Sequence, residues 1–381
     1  MAVDLQDLNI DIAVSLSAPP ISRAGFGTVL LMSPEASPVS GDLTMSFSTT
    51  AEIAAGVTAG DMTQRLATAL GLALSQSPRP AVVKIAKIGV TTAADPTIAA
   101  DIAAILAEDT DWYGAYADLL TSIGPPVVAP DAEATLTLTA AGIAIEALDS
   151  DHVMLQGSAD PIMYTAPTTD PAGVEAAAAH ERSPVIYEQW VGAAGDETQF
   201  GAYAALARWL SFDPDVISAV FAAQVTGILP AATSAAAPVD LTTAQLNFIL
   251  GKEGNHFSAY GSAPAFINEG TNPVGRQLHE ILTADWLSAR IREDLASAAV
   301  ARANLGQKWP LNNTGVALVA NIVNSRLAAG ITAGHFQAVT NAAGTFDVDA
   351  KSITVAARAQ VLNSNVRFNV NIAFTSGSVN A

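Results

Sequence analysis

Five histidines, His152, His180, His256, His279 and His335, and a large excess of carboxylates are the side chains here that could bind metal or move protons. Cysteine is absent, which excludes disulfides, thiolate zinc sites, iron–sulfur clusters and cysteine nucleophiles. A helical zinc-hydrolase motif needs two histidines one turn apart around a glutamate, and His279-Glu280 lacks the second histidine. Glu253 and His256 have the spacing of a helical metal pair, but Gly254-Asn255 between them predicts a helix end and a simple turn. Asp149, Asp151 and His152 stand just before a predicted strand, where polar loop residues are expected. Asp109, Asp111 and Gly114 open like a calcium loop, yet its twelfth position, which should be a bidentate glutamate, is Leu120.

Nucleotide and acyl-transfer signatures fail in the same way. Gly25-Phe26-Gly27 has no third glycine, Gly251-Lys252 follows no phosphate-binding loop, and no GxSxG elbow occurs. Asn312-Asn313-Thr314 matches a glycosylation acceptor, a pattern common by chance. No pair of carboxylates is singled out as an acid and its base, so an α/β enzyme with an unrecognised carboxylate site stands as the second reading. No cofactor and no metal are expected.

Composition narrows the class. The chain has 381 residues and a formal charge of −19, too long for one small domain and too acidic for a generic nucleic-acid binder. With 50% hydrophobic but only 6% aromatic residues, it must bury an aliphatic core rather than remain disordered. The charge is uneven: residues 1–250 carry −21 and residues 251–381 carry +2. Copies of the chain could attract one another head to side, or the acidic part could simply be well solvated. The first ten residues are acidic where a signal peptide needs a basic start. The longest uncharged stretch, 216–239, is broken by Gln224, Pro230 and Pro238, and reads as a buried strand followed by a linker rather than a membrane span.

Hydrophobic periodicity supplies the elements that must carry any site. Leu8, Ile10, Ile12, Val14 and Leu16 alternate with small or polar residues, the period of a half-buried strand, before Pro19-Pro20 forces an extended break. Strand and helix patterns then alternate to about residue 190: strands at 25–32, 82–88, 112–117, 153–156 and 185–187, helices at 61–74, 97–107, 132–148 and 171–181. That succession predicts an α/β domain with a mixed or parallel sheet. The stretch 228–240, poor in charge and bulk, marks a boundary. Beyond it come helices at 242–251, 273–305 and 316–328, the last ending at Gly330. On the long one Leu278, Ile281, Leu282, Trp286, Leu287, Ile291 and Leu295 form one apolar stripe, with Arg290, Arg292 and Arg302 placed outside it. Ile353, Val355, Ala357, Ala359 and Val361 alternate again, and so do Val366, Phe368, Val370, Ile372 and Phe374, with a turn-like Asn363-Ser364-Asn365 between the two runs.

Amphipathic strands at the two ends of a chain have two explanations. They pair with the chain's own sheets, or they reach into neighbouring subunits and complete sheets there. Five apolar side chains at about 2 kcal/mol each, plus backbone hydrogen bonds worth about 1 kcal/mol net each, are largely cancelled by ordering entropy, but repetition in a lattice makes such a link strong.

From about residue 241 onward the sequence resembles the C-terminal domain of contractile tail sheath proteins of bacteriophages. The resemblance rests on Leu250-Gly251-Lys252 with Asn255, Gly270 and Gly275 before the long helix, Asp285-Trp286-Leu287 within it, Thr314-Gly315 opening the next helix, and Gly330 to Gly334 closing it. The 25–32 segment GFGTVLLM after an N-terminal arm, Asp111-Trp112-Tyr113, and Ser183-Pro184-Val185-Ile186-Tyr187 extend it over most of the chain in order and length.

The resemblance implies a multi-domain tail-sheath fold of α/β character with extended N- and C-terminal β-strand arms. It implies an arm at 1–20, an acidic outer α/β domain at 21–235, a sheath domain near the tube at 236–365 and a second arm at 366–381. It also implies a structural, non-enzymatic subunit that stacks in rings around a tail tube and contracts to drive the tube through the bacterial envelope. Expected partners are further copies of the chain, the tube protein, and baseplate and tail terminator proteins, with no nucleic acid and no membrane insertion. The expected place is a virion tail assembled in the host bacterial cytoplasm. Residues 8–16 and 366–374 match the strand-donating arms, and Arg290, Arg292 or Arg302 is expected to face the tube. Another self-assembling tail or shell component is the third reading.

Overall fold

The computed structural model describes residues 8–11, 26–38, 41–89, 97–118, 141–148, 152–158, 180–187, 200–221, 224–226, 247, 249–258, 266–268, 270–348 and 352–362. Its strands are β1 (Leu8–Asp11), β2 (Thr28–Ser33), β3 (Thr44–Phe47), β4 (Val82–Lys87), β5 (Gly114–Ala117), β6 (Val153–Ser158), β7 (Val185–Tyr187), β8 (Asn255–Ser258), β9 (Phe266–Asn268), β10 (Phe336–Val339), β11 (Ala343–Asp347) and β12 (Ser352–Val361). The helices are α1 (Thr50–Ala59), α2 (Gln64–Leu74), α3 (Ile98–Glu108), α4 (Gly201–Leu210), α5 (Leu278–Asn304) and α6 (Asn313–Ala333).

Strand β2 explains the first layer. Its six residues are all buried, so both faces need cover, as for a central strand of a parallel sheet. It pairs in parallel with β4 on one side and β5 on the other. The sheet runs β3-β4-β2-β5-β6-β7-β8-β9, with only the edge strands β3 and β9 antiparallel to their neighbours. Val29 and Leu31 pack with α2 and α4 through Leu66, Leu70, Tyr203 and Leu206. On the opposite face Leu30 and Met32 meet Ile98, Ile102 and Ile105 of α3, and Ala141 and Ile145 of a helical turn at 141–146. Thr49 and Glu52 cap α1 reciprocally, a pairing that satisfies two otherwise orphan backbone donors.

The second layer is a helix pair under a small sheet. The seven residues of the predicted stripe on α5 are all buried, and they join the cluster that includes β2 and α2. One apolar core therefore runs from the large sheet into the C-terminal helices. Because β8 and β9 pair onward from β7, the large sheet crosses the division expected at 235/236. Helix α6 is long and apolar enough to cross a membrane by length and composition. In the fold it packs along α5 and buries Ala320, Val323, Leu327 and Gly330.

Several boundaries differ from those read in the sequence. Residues 216–221, expected to begin a buried strand, form irregular chain in which Val216 is 71% exposed. The last helix does not stop at Gly330. It runs to Ala333 and is capped by Gly334 in the left-handed conformation at φ 82°, while Gly330 lies in the helix, where an added Cβ would collide with Phe336. Short elements without a clean period, β3, α1, α4, β9, β10 and β11, were not legible as such. The expected helix at 171–181 and the turn at 363–365 lie outside the described residues, apart from residues 180–181.

Candidate functional site

The small sheet is built around β12. Ser352–Val361 alternates exposed and buried positions, with Val355, Ala357 and Ala359 turned inward, as its period-two sequence requires. Antiparallel β10 and β11 pair with it along one edge, and antiparallel β1 pairs along the other, with Leu8 opposite Ala359 and Asp11 opposite Ala356. Phe336, Val355, Ala357 and Ala359 join Val323 and Leu327 of α6 in the common core. Strand β11 is exposed throughout.

Buried charge fixes the helices beneath. On α5, Asp285 takes a bidentate pair from Arg182, 2.7 Å at each contact, and a hydrogen bond from Tyr113 Oη at 2.8 Å. Burial disfavours the Arg182 cation, but the hydrogen bond and charge of Asp285 outweigh it and hold its pKa above the ordinary value. Asp215 accepts from Trp286 Nε1 at 3.0 Å and from Arg290 Nε at 3.1 Å, and Glu293 accepts from the same guanidinium. Arg326 of α6 pairs with Asp294 of α5.

Two histidines tie this support to the end of β12. His335 Nε2 lies 2.7 Å from the Pro214 carbonyl, which can only accept, so Nε2 carries the proton and Nδ1 accepts from Thr283 Oγ1 at 2.8 Å. Its ring stacks on Trp286 at 4.5 Å. His279 Nε2 donates to the Leu362 carbonyl at 3.1 Å, and the Leu362 N–H donates to the His335 carbonyl. Burial lowers the pKa of both histidines.

The large sheet has a topological switch point, because β4 and β5 leave β2 in opposite directions. In open α/β sheets the crevice at the carboxyl ends of such strands is the usual ligand site. Among the described residues, an ion pair stands at that end of the sheet. Asp118, fully buried at the end of β5, accepts from Arg65 at 2.6 and 2.7 Å and from Ser33 Oγ at 3.1 Å. Among the described residues, no group of three His, Asp or Glu side chains could hold a metal ion.

No family model matches the sequence, and no curated protein sequence does either. Solved structures do match its fold. A chain from the anti-feeding prophage baseplate superposes with a TM-score of 0.64 at 11% identity, covering 96% of this chain and 98% of that one. The sheath of an extracellular contractile injection system in its contracted state gives 0.58 at 11% identity over 99% of each chain. A sheath tail protein from Listeria innocua gives 0.58 at 10% identity, covering 89% of this chain and 92% of that one. The chain has the tail-sheath fold.

Within that fold the residues singled out in the sequence are distributed as follows. Leu8 and Ile10 fall in β1. Ile12, Val14, Leu16, Val366, Phe368, Val370, Ile372 and Phe374 lie outside the described residues. Arg292 is exposed. Arg302 is half-buried, donates to the Lys308 carbonyl and lies 5.8 Å from the Trp309 ring centroid. Arg290 corrects the expectation of an outward cation: it is 4% exposed and engaged with Asp215 and Glu293. The reason is helical geometry, since it follows Trp286 by one turn and so projects beside the stripe.

Sequence reasoning missed Arg182, Asp215, Tyr113 and Asp285 as a group. One signal was present, the carboxylate of Asp285 directly beside Trp286 within an apolar stripe. Its partner Arg182 lies 103 residues away, too far for any local pattern to reveal.

Proposed function

We propose that this chain is the structural subunit of a contractile tail sheath, stacking in rings around a tail tube and contracting to drive it through a bacterial envelope. The observation that carries the reading is β12, an amphipathic strand with an edge that accepts β1, set in a fold that matches sheath subunits along nearly the whole chain. Residues 8–16 and 366–374 are the arms that link neighbours. Residues 21–235 form the acidic outer part, and 236–365 carry the sheet nearest the tube. Arg292 and Arg302 present cations to the tube from α5. Further copies, a tube protein, and baseplate and terminator proteins are the partners. Nucleic acid, membrane insertion and cofactors play no part, and the site of assembly is the bacterial cytoplasm, before the finished virion tail.

The switch point favours this reading over an enzyme, because Asp118, the buried carboxylate at the end of β5, is engaged by Arg65 and Ser33. Electron microscopy of the chain expressed with its tube partner tests the proposal. Hollow helical cylinders support it, and monodisperse small particles under all conditions would overturn it. Chains lacking residues 1–20 or 366–381 should fold yet not polymerise.

A further inference from the structure

The strand site described above is already filled by the chain's own N-terminal residues. We infer that in the unassembled subunit β1 caps its own receiving edge, and that assembly proceeds by exchanging this strand for the β1 of a neighbouring copy. The inference rests on the sheath reading for its second half only. The first half rests on the register.

Arg358 donates its N–H to Thr340 Oγ1 at 2.9 Å, and its carbonyl accepts from the Thr340 N–H at 2.8 Å, so both of its backbone groups point toward the β10 side. Backbone direction alternates along a strand, so Ala357 and Ala359 point theirs toward β1. Their side chains are 8% and 1% exposed, which makes this a long, half-buried edge with unpaired donors and acceptors once β1 leaves. Such an edge is a template for uncontrolled association. Antiparallel pairing of Leu8–Asp11 with Ala356–Ala359 closes it within one molecule.

The tether decides which strand wins. Residues 12–25, 14 in number, separate β1 from the first residue of the large-sheet segment, and a fully extended connection of that length reaches about 50 Å. A connection of that length lets β1 lie on the chain's own edge or leave it for one held nearby. The contacts are identical in the two cases, so the choice follows concentration. A tethered strand acts at an effective concentration on the order of mM, above that of dilute free subunits, and the closed form prevails. Once other ring contacts hold a second edge nearby, that advantage disappears and exchange costs little, as in other domain-swapped assemblies.

The absence of cysteine makes the test clean. Asn9 faces Arg358, and because the Arg358 backbone bonds away from β1, this is a non-hydrogen-bonded pair, the closely spaced kind that suits a disulfide. The Asn9→Cys/Arg358→Cys double variant, oxidised while dilute, should form an intrachain bond visible as a faster band on a non-reducing gel. It should keep the wild-type circular dichroism, fail to polymerise, and regain wild-type polymerisation on reduction. Covalent dimers in the dilute sample, no disulfide at all, or polymerisation of the locked chain at the wild-type rate would each overturn the inference.

A second measurement covers a variant that does not fold. A fluorescent peptide of residues 1–16 should bind a chain lacking residues 1–20 at least about tenfold more tightly than it binds the full chain. Equal binding refutes self-capping. If neither wild-type nor reduced protein ever polymerises while the intrachain disulfide forms, the sheath reading fails and the capped edge stands.

Discussion

Asp285 and Arg182, one in the second turn of α5 and the other just before β7, meet through two parallel hydrogen bonds of 2.7 Å with side chains only 4% and 12% exposed. Tyr113, at the foot of β5, adds its hydroxyl to the same carboxylate. One acid thus binds helix α5 to the chain entering two strands of the large sheet, linking the two parts that the charge distribution of the sequence set apart.

Removing one partner from such a pair leaves the other buried and uncompensated. Asp285→Ala should therefore cost about 3–5 kcal/mol, read as a lower urea midpoint. Tyr113→Phe, which leaves the ion pair whole, should cost about 1 kcal/mol. A double-mutant cycle with Arg182→Met should show strong coupling, and additive losses would mean that the pair contributes nothing of its own.

How far the sequence foretold this architecture depends on the range of the signal. The alternation in 352–361 and the stripe on α5 are local consequences of burying one face, and both stand in the fold. The α/β succession was legible because a doubly covered strand such as β2 must be continuously apolar. Pairings between distant segments left no such mark. Arg290 reads as a surface cation until Asp215, 75 residues earlier, is brought beside it. Gly330 reads as a helix stop until Phe336 is seen to pack where its side chain would be.

Acid should loosen the large sheet through two histidines that the fold keeps neutral. Burial lowers His152 and His256 from an ordinary 6.5 to about 4. The unfolded chain takes up these protons first, so stability is complete above pH 6.5 and falls between 6.5 and 4, by on the order of 3 kcal/mol per histidine. Urea midpoints at pH 7, 5.5 and 4.5 should decline accordingly. His152→Phe retains the ring against Trp112, 4.0 Å away in the native protein, and should flatten the decline.

Tyr203 makes the opposite prediction. Its ring is wholly buried and its hydroxyl has no hydrogen-bond partner among the described residues; burial pushes its phenol pKa upward. An unpaired buried hydroxyl costs about 1–3 kcal/mol, so Tyr203→Phe should raise the melting temperature or leave it unchanged. A clear loss of stability would reveal a partner for that oxygen.

Arg292 is exposed on α5, and no ion pair engages it among the described residues. Arg292→Glu should change stability by no more than about 0.5 kcal/mol. Binding to the tube should weaken most at low salt, where exposed charges are least screened. Co-sedimentation with tube across salt concentrations reads both, and unchanged binding throughout removes this arginine from the contact.

Gly344 separates folding of the subunit from completion of its strand site. It lies opposite Val355 in the β11–β12 ladder, and a Cβ there would sit 2.1 Å from the Thr354 carbonyl oxygen and 2.8 Å from Val355 Cγ2. Backbone cannot yield as a flexible side chain does, so Gly344→Val must push β11 away from β12, at a cost of about 1–3 kcal/mol. Strand β11 is exposed throughout and contributes little to the core, so the large sheet should survive. Hydrogen exchange should accelerate in 343–347 and 352–356 and stay slow in β2, β4 and β5. Polymerisation should fall with the loss of an ordered β12, whose opposite edge receives β1. Normal polymerisation with that exchange pattern would mean that β11 is dispensable to the strand site.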